Sequence, residues 1–126
     1  MIESAFPILE VSDMDAALAF YRDALGGALR YRFPPDGGDP VYVSLAVGSS
    51  ELAIGYTDAP LPPGNLMLWF YVDDVDRVTT ELTAAGATVV EEPIDREWGE
   101  RTALLHDPFG TRLHLGAPIS RPPDEE

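Results

Sequence analysis

The chain has no cysteine and no lysine, and nowhere runs to the roughly 18 consecutive apolar residues that a membrane-spanning helix needs. Without cysteine there are no disulfides and no thiolate metal sites, which fits either redox compartment. All of the basic residues are arginine, 8 against 22 acidic residues, for a formal net charge of −14. Phosphate backbones are held by clustered Lys and Arg. These arginines are scattered among acids, so nucleic acid is not an expected partner. The acid excess favours a cationic partner, and it is equally the solvated surface that keeps an acidic protein in solution. The N-terminus carries no basic, apolar leader, so neither membrane insertion nor secretion is expected and the location is expected to be cytoplasmic.

What is present is a duplication. Residues 11–27 (VSDMDAALAFYRDALGG) and 72–87 (VDDVDRVTTELTAAGA) are two versions of one unit, a strand end followed by an Asp-capped helix and a glycine stop. Asp13 and Asp74, 61 positions apart, each follow an apolar strand and are placed to cap the first orphan amides of a helix. Asp15 and Asp76 add favourable charge to the first turns. Ala17, Phe20, Tyr21 and Ala24 form the apolar stripe of the first helix, and Val78, Leu82 and Ala85 repeat part of it in the second. Gly26 and Gly86 supply the left-handed residue that commonly ends a helix.

Strands are expected near 28–33, 40–47 and 51–57 in the first half, and near 66–72, 88–92, 101–106 and 111–116 in the second. Each half then reads βαβββ. Two copies fill 126 residues, near the common size of one domain, and 45% apolar residues suffice for a core. The expectation is a single α+β domain of two modules, about 1–58 and 65–118, with a proline-rich linker at 58–64 and a frayed tail at 119–126.

The twin βαβββ units, the VSDMDAALAFYRDALGG segment and the HDPFGTRLHL ending (106–115) together resemble the glyoxalase, bleomycin-resistance and extradiol-dioxygenase superfamily, also called vicinal oxygen chelate proteins. The resemblance covers nearly the whole chain. It implies curved mixed sheets that form a cleft, often in a homodimer. Metal-dependent members place His and Glu ligands at positions that align here with Phe6, Gly55, Met67 and His114. Only His114 offers a metal donor of that kind, and a divalent site needs about three protein ligands. No metal and no other cofactor is therefore expected. His106, Glu10, Glu51, Glu91 and Glu92 lie away from the ligand positions.

Within the superfamily the chain is most similar to bleomycin resistance proteins, which sequester glycopeptide drugs without altering them. Three segments carry this: 4–26, 62–72 (PPGNLMLWFYV) and 97–115 (EWGERTALLHDPFGTRLHL). Pro7 matches a proline of the N-terminal strand that family dimers exchange. The resemblance implies a ligand with a flat aromatic part and a cationic tail, met by aromatic faces and negative potential. The candidate ligand-binding residues are Phe33, Tyr42, Tyr56, Trp69, Trp98, Arg101 and His114, with Phe70 or Tyr71 completing the wall.

Each has a plainer role beside it. Trp69, in an apolar strand, is either a pocket wall or core. Trp98, in the polar loop Asp95–Arg101, is either a stacking surface or a lid packed over the strands. Arg101 either bonds a ligand or pairs with a nearby acid, and His114 either donates to a ligand or is a satisfied core histidine. The segment RYRFPPDGGDPVYVSLAVGSS (30–50) is longer than its counterpart in the drug-binding proteins and lacks their aromatic after Phe33. Two enzyme readings stand as alternatives. One is a metal-dependent lyase or dioxygenase with non-standard ligands, and the other a metal-free enzyme using His114 or Glu10 as general base.

Overall fold

A computed structural model describes residues 1–119, so all but the first residue of the tail expected at 119–126 lies outside the described residues. The chain divides into two compact units at Pro62/Pro63, inside the expected linker.

The first unit runs β1 (Ile8–Val11), α1 (Met14–Leu18) continued by a π-helical turn (Ala19–Ala24), β2 (Ala28–Phe33), β3 (Tyr42–Val47) and β4 (Ser50–Tyr56). The second runs β5 (Met67–Tyr71), α2 (Val75–Ala84), β6 (Thr88–Asp95), β7 (Glu100–His106) and β8 (Arg112–Pro118). Both sheets are mixed and four-stranded, in the orders β1-β4-β3-β2 and β5-β8-β7-β6. In each, the strand before the helix pairs in parallel with the last strand of the unit and the rest is antiparallel. Even the register repeats: Glu10 pairs with Gly55 and Tyr71 with Gly116, each residue 61 positions from its counterpart.

Both helix starts form as the sequence predicts. Asp13 is extended and its Oδ1 accepts from the Ala16 amide at 3.0 Å; Asp74 does the same for Arg77 at 3.0 Å. Gly26 and Gly86 take φ of 93° and 112° just beyond the helices, a region costly for any residue with a Cβ.

The first helix departs from the regular period expected of it. After Leu18 it widens, with Leu25 N–H donating to the Phe20 carbonyl, five residues back, at 2.9 Å. The wider turn lets two successive large rings enter the core. Phe20 and Tyr21 are both 0% exposed and meet edge to face, centroids 4.9 Å apart. Around them Val11, Ala17, Val43, Leu45, Leu52 and Ile54 complete the core of the first unit.

In the second unit α2 packs on β6, β7 and β8, burying Val75, Val78 and Leu82 against strands that carry Ala103, Leu105, Leu113 and Leu115. Strand β6 runs past its expected end, through Pro93 to Asp95. It is an edge strand with two register irregularities, the setting in which a strand tolerates a residue without an N–H. The Asp107–Gly110 turn into β8 is fixed by Asp107, which is buried and accepts at Oδ1 from the Phe109 and Thr111 amides at 2.8 and 2.7 Å. No helix among the described residues is long and apolar enough to cross a membrane.

Candidate functional site

Alternation along β5 sends Leu68 and Phe70 toward α2 and leaves Met67, Trp69 and Tyr71 on the open face of the second sheet. Trp69 is 39% exposed there and is not fully buried core. It pairs in register with His114 of β8, and indole and imidazole stack with centroids 4.8 Å apart and planes 28° apart. The next residue on this face of β8 is Gly116. A Cβ at 116 would stand 2.9 Å from Trp69 Cζ2, so the indole lies flat on the strand because that position has no side chain.

Burial is the main influence on His114 and lowers its pKa below the ordinary value, against an opposing pull from Glu91. The shift favours the neutral ring. Its Nδ1 lies 2.7 Å from Met67 Sδ.

Trp98 stands in the turn between β6 and β7. The turn is closed by Arg96 N–H to the Glu100 carbonyl at 2.7 Å and Gly99 N–H to the Arg96 carbonyl at 3.0 Å. The indole is 62% exposed, so it does not form a buried lid. Its Nε1–H donates to Glu100 Oε1 at 2.8 Å, and the Arg96 guanidinium lies 5.8 Å from the ring centroid. Arg96 is itself tied to Thr102 Oγ1 and Glu91 Oε1, each at 2.9 Å. The Glu100 carboxylate nearby raises the Tyr71 pKa above its ordinary value. Trp69, Tyr71, Glu100 and His114 share one face of a single sheet, with Trp98 bonded to Glu100 at its edge.

Arg101 does not join it. Its register partner Ala117 faces α2, and its guanidinium bonds both Asp76 oxygens at 3.0 Å and Asp95 Oδ1 at 2.9 Å. Of its two expected roles, it fulfils the pairing with acids. These carboxylates hold the guanidinium pKa above its ordinary value.

In the first unit Phe33 and Tyr42 are register partners on the open face, with Gly55 and Glu10 continuing the row. Phe33 is 53% exposed. Tyr42 meets Tyr31 edge to face at 6.1 Å, and the two border a cavity of about 560 Å³ that also touches Arg30, Ser44, Ser50 and Glu51. Within it Ser44 Oγ donates to Glu51 Oε2 at 2.6 Å. Tyr56 shares its strand face with Leu52 and Ile54 and pairs with buried Val11, so it lies on the helix side, away from Phe33 and Tyr42.

The donor set does not fit a divalent metal. Of the aligned positions Phe6, Gly55, Met67 and His114, the first two have no donor and the third has only a thioether. Among the described residues no three His, Cys, Asp or Glu side chains gather in one place.

Sequence reasoning passed over Tyr31 and Glu100, and weighed Glu51 only as a metal donor. The alternation Glu100-Arg101-Thr102 carried the signal for Glu100, because it puts the glutamate and not the arginine on the face of Leu104 and His106.

A structure of TioX from Micromonospora sp. ML1 superposes with a TM-score of 0.73 at 26% identity, over 93% of this chain and 100% of that one. A glyoxalase/bleomycin resistance protein/dioxygenase family enzyme from Burkholderia phytofirmans superposes at 0.76 with 20% identity, over 90% and 97%, a likeness of fold alone. An uncharacterised protein of Mycobacterium tuberculosis is 29% identical over 124 residues, 90% of this chain and 73% of that protein. The sequence profile of the family matches residues 6–115, and the chain belongs to the Glyoxalase/Bleomycin resistance protein/Dioxygenase superfamily.

Proposed function

We propose that the protein is a non-enzymatic binder that sequesters a cationic, partly flat natural product of the bleomycin type on its aromatic sheet faces. Stoichiometric protection of this kind needs tight binding and no chemistry. The observation that carries the reading is Trp98. An indole 62% exposed, held by its polar edge to Glu100 and backed by Arg96, presents a fixed ring face to incoming ligand. Holding it in place beforehand reduces the ordering cost of binding. Trp69 stacked on His114 supplies a second aromatic surface on the same sheet, and the net charge of −14 favours a cation; Phe33 and Tyr42 form a separate aromatic pair on the first unit's own sheet. The reading includes a homodimer, for which sedimentation at twice the chain mass is the check and a monomer at micromolar concentration the contrary result.

The experiment is mass balance. Metal-free bleomycin incubated with excess protein and a chelator is expected to be retained on a size filter with the protein and, after denaturation, recovered with its mass unchanged. Drug recovered with an altered mass, at more than one turnover per chain, overturns the non-enzymatic reading in favour of a superfamily enzyme.

A further inference from the structure

The open face of the second sheet contains a charge that nothing beside it neutralises. Glu100 accepts a hydrogen bond from Trp98 Nε1–H at 2.8 Å. That donor is neutral. None of the ion pairs among the described residues involves Glu100. The two arginines nearest in sequence are committed elsewhere, Arg96 to Glu91 and Thr102, Arg101 to Asp76 and Asp95. A carboxylate offers about four lone-pair directions, so about three acceptor positions remain open.

The rings around it are turned in a way that favours a cation. Aromatic rings are positive at the edge and negative on the face. Trp98 directs its N–H edge at Glu100, which steadies the anion, and keeps open the ring face turned away from the Arg96 guanidinium. Tyr71 is 66% exposed, and Trp69 lies beside it with centroids 5.8 Å apart. A carboxylate ringed by exposed aromatic faces is the combination that holds organic cations, by direct charge and by cation–π attraction together.

We propose that Glu100, with Trp98, Tyr71 and Trp69, forms a subsite for a monovalent organic cation, an alkylammonium or amidinium group carried by the ligand. This rests on the binding function proposed above and says where its cationic end is read. Glu100 is then a specificity residue, selecting charged from neutral members of one ligand class.

The test uses two probes of equal shape, a phenylthiazole bearing a trimethylammonium group and its neutral tert-butyl isostere, titrated by tryptophan fluorescence against the wild-type protein and Glu100→Gln. Glutamine keeps an acceptor oxygen for Trp98 and removes the charge. The wild type is expected to prefer the cationic probe by about tenfold, a preference that shrinks as salt rises. Glu100→Gln is expected to abolish it while binding the neutral probe unchanged. A wild type that binds both probes equally, or a preference that survives in Glu100→Gln, overturns the subsite and leaves aromatic binding standing. Weakening of both probes alike in Glu100→Gln also overturns it, by showing that Glu100 only positions Trp98. If neither probe binds the wild type at millimolar concentration, the binding function fails together with the subsite.

Discussion

Phe20→Ala is expected to destabilise the first unit by about 3–5 kcal/mol, the usual cost of emptying a buried phenylalanine site. The ring is 0% exposed and packs edge to face on Tyr21, which is equally buried. Two features make the upper half of that range the expected result. The backbone widens into a π-turn at this position, so the turn is held open by the two rings it accommodates and tightens poorly around a void. The neighbouring Leu45, Leu52 and Ile54 are strand residues whose positions the β3–β4 ladder fixes, which limits collapse into the cavity. A loss of this size is a large part of the whole stability of a small protein. Urea denaturation followed by circular dichroism is the check, and a loss below about 1 kcal/mol contradicts the account of the core.

Trp98→Ala should act in the opposite way, on binding and not on folding. The indole is mostly exposed, and its one hydrogen bond runs to Glu100 on the surface. Its removal creates no cavity, so the denaturation midpoint is expected to stay within about 0.5 kcal/mol of the wild type. Affinity for metal-free bleomycin is expected to fall by about 1–3 kcal/mol, the loss typical of an aromatic anchor. Unchanged affinity sinks the stacking role, whereas an equal fall in stability means that Trp98 is a structural lid. Together the two substitutions separate the residues that build the fold from those that present its surface.

Much of the fold was legible because its signals are local. Asp13 and Asp74 each need only the amide three residues on, and the glycines need only their own φ, so the two helices and the repeated βαβββ order could be read directly. The π-turn could not. Whether an amide reaches four or five residues back depends on how Phe20 and Tyr21 pack against strands distant in sequence, and the apolar stripe is compatible with both.

The site was legible in residue type more than in orientation. Trp69 and Trp98 stand where the sequence placed them, in an apolar strand and a polar turn. Strand faces are harder, since a shift of one residue in register turns every side chain over. The sequence placed Arg101 at the boundary between a polar loop and a strand expected from 101. Strand β7 begins at Glu100, and that single position gives the open face to Glu100 and the helix side to Arg101. Tyr56 continues the inward row of Leu52 and Ile54 for the same reason. Glu100 shares its face with Tyr71 of a strand that β8 separates from it in the sheet, and no spacing within the sequence encodes that neighbourhood.

The most direct test of the central claim is a titration of the wild-type protein with metal-free bleomycin and phleomycin at low salt, followed by the fluorescence of Trp69 and Trp98 with and without chelator. Saturable quenching at micromolar or lower drug, unaffected by chelator, is the predicted result. An absence of quenching, with no rise in the thermal midpoint at high drug concentration, contradicts drug sequestration and leaves the aromatic faces to a different small molecule.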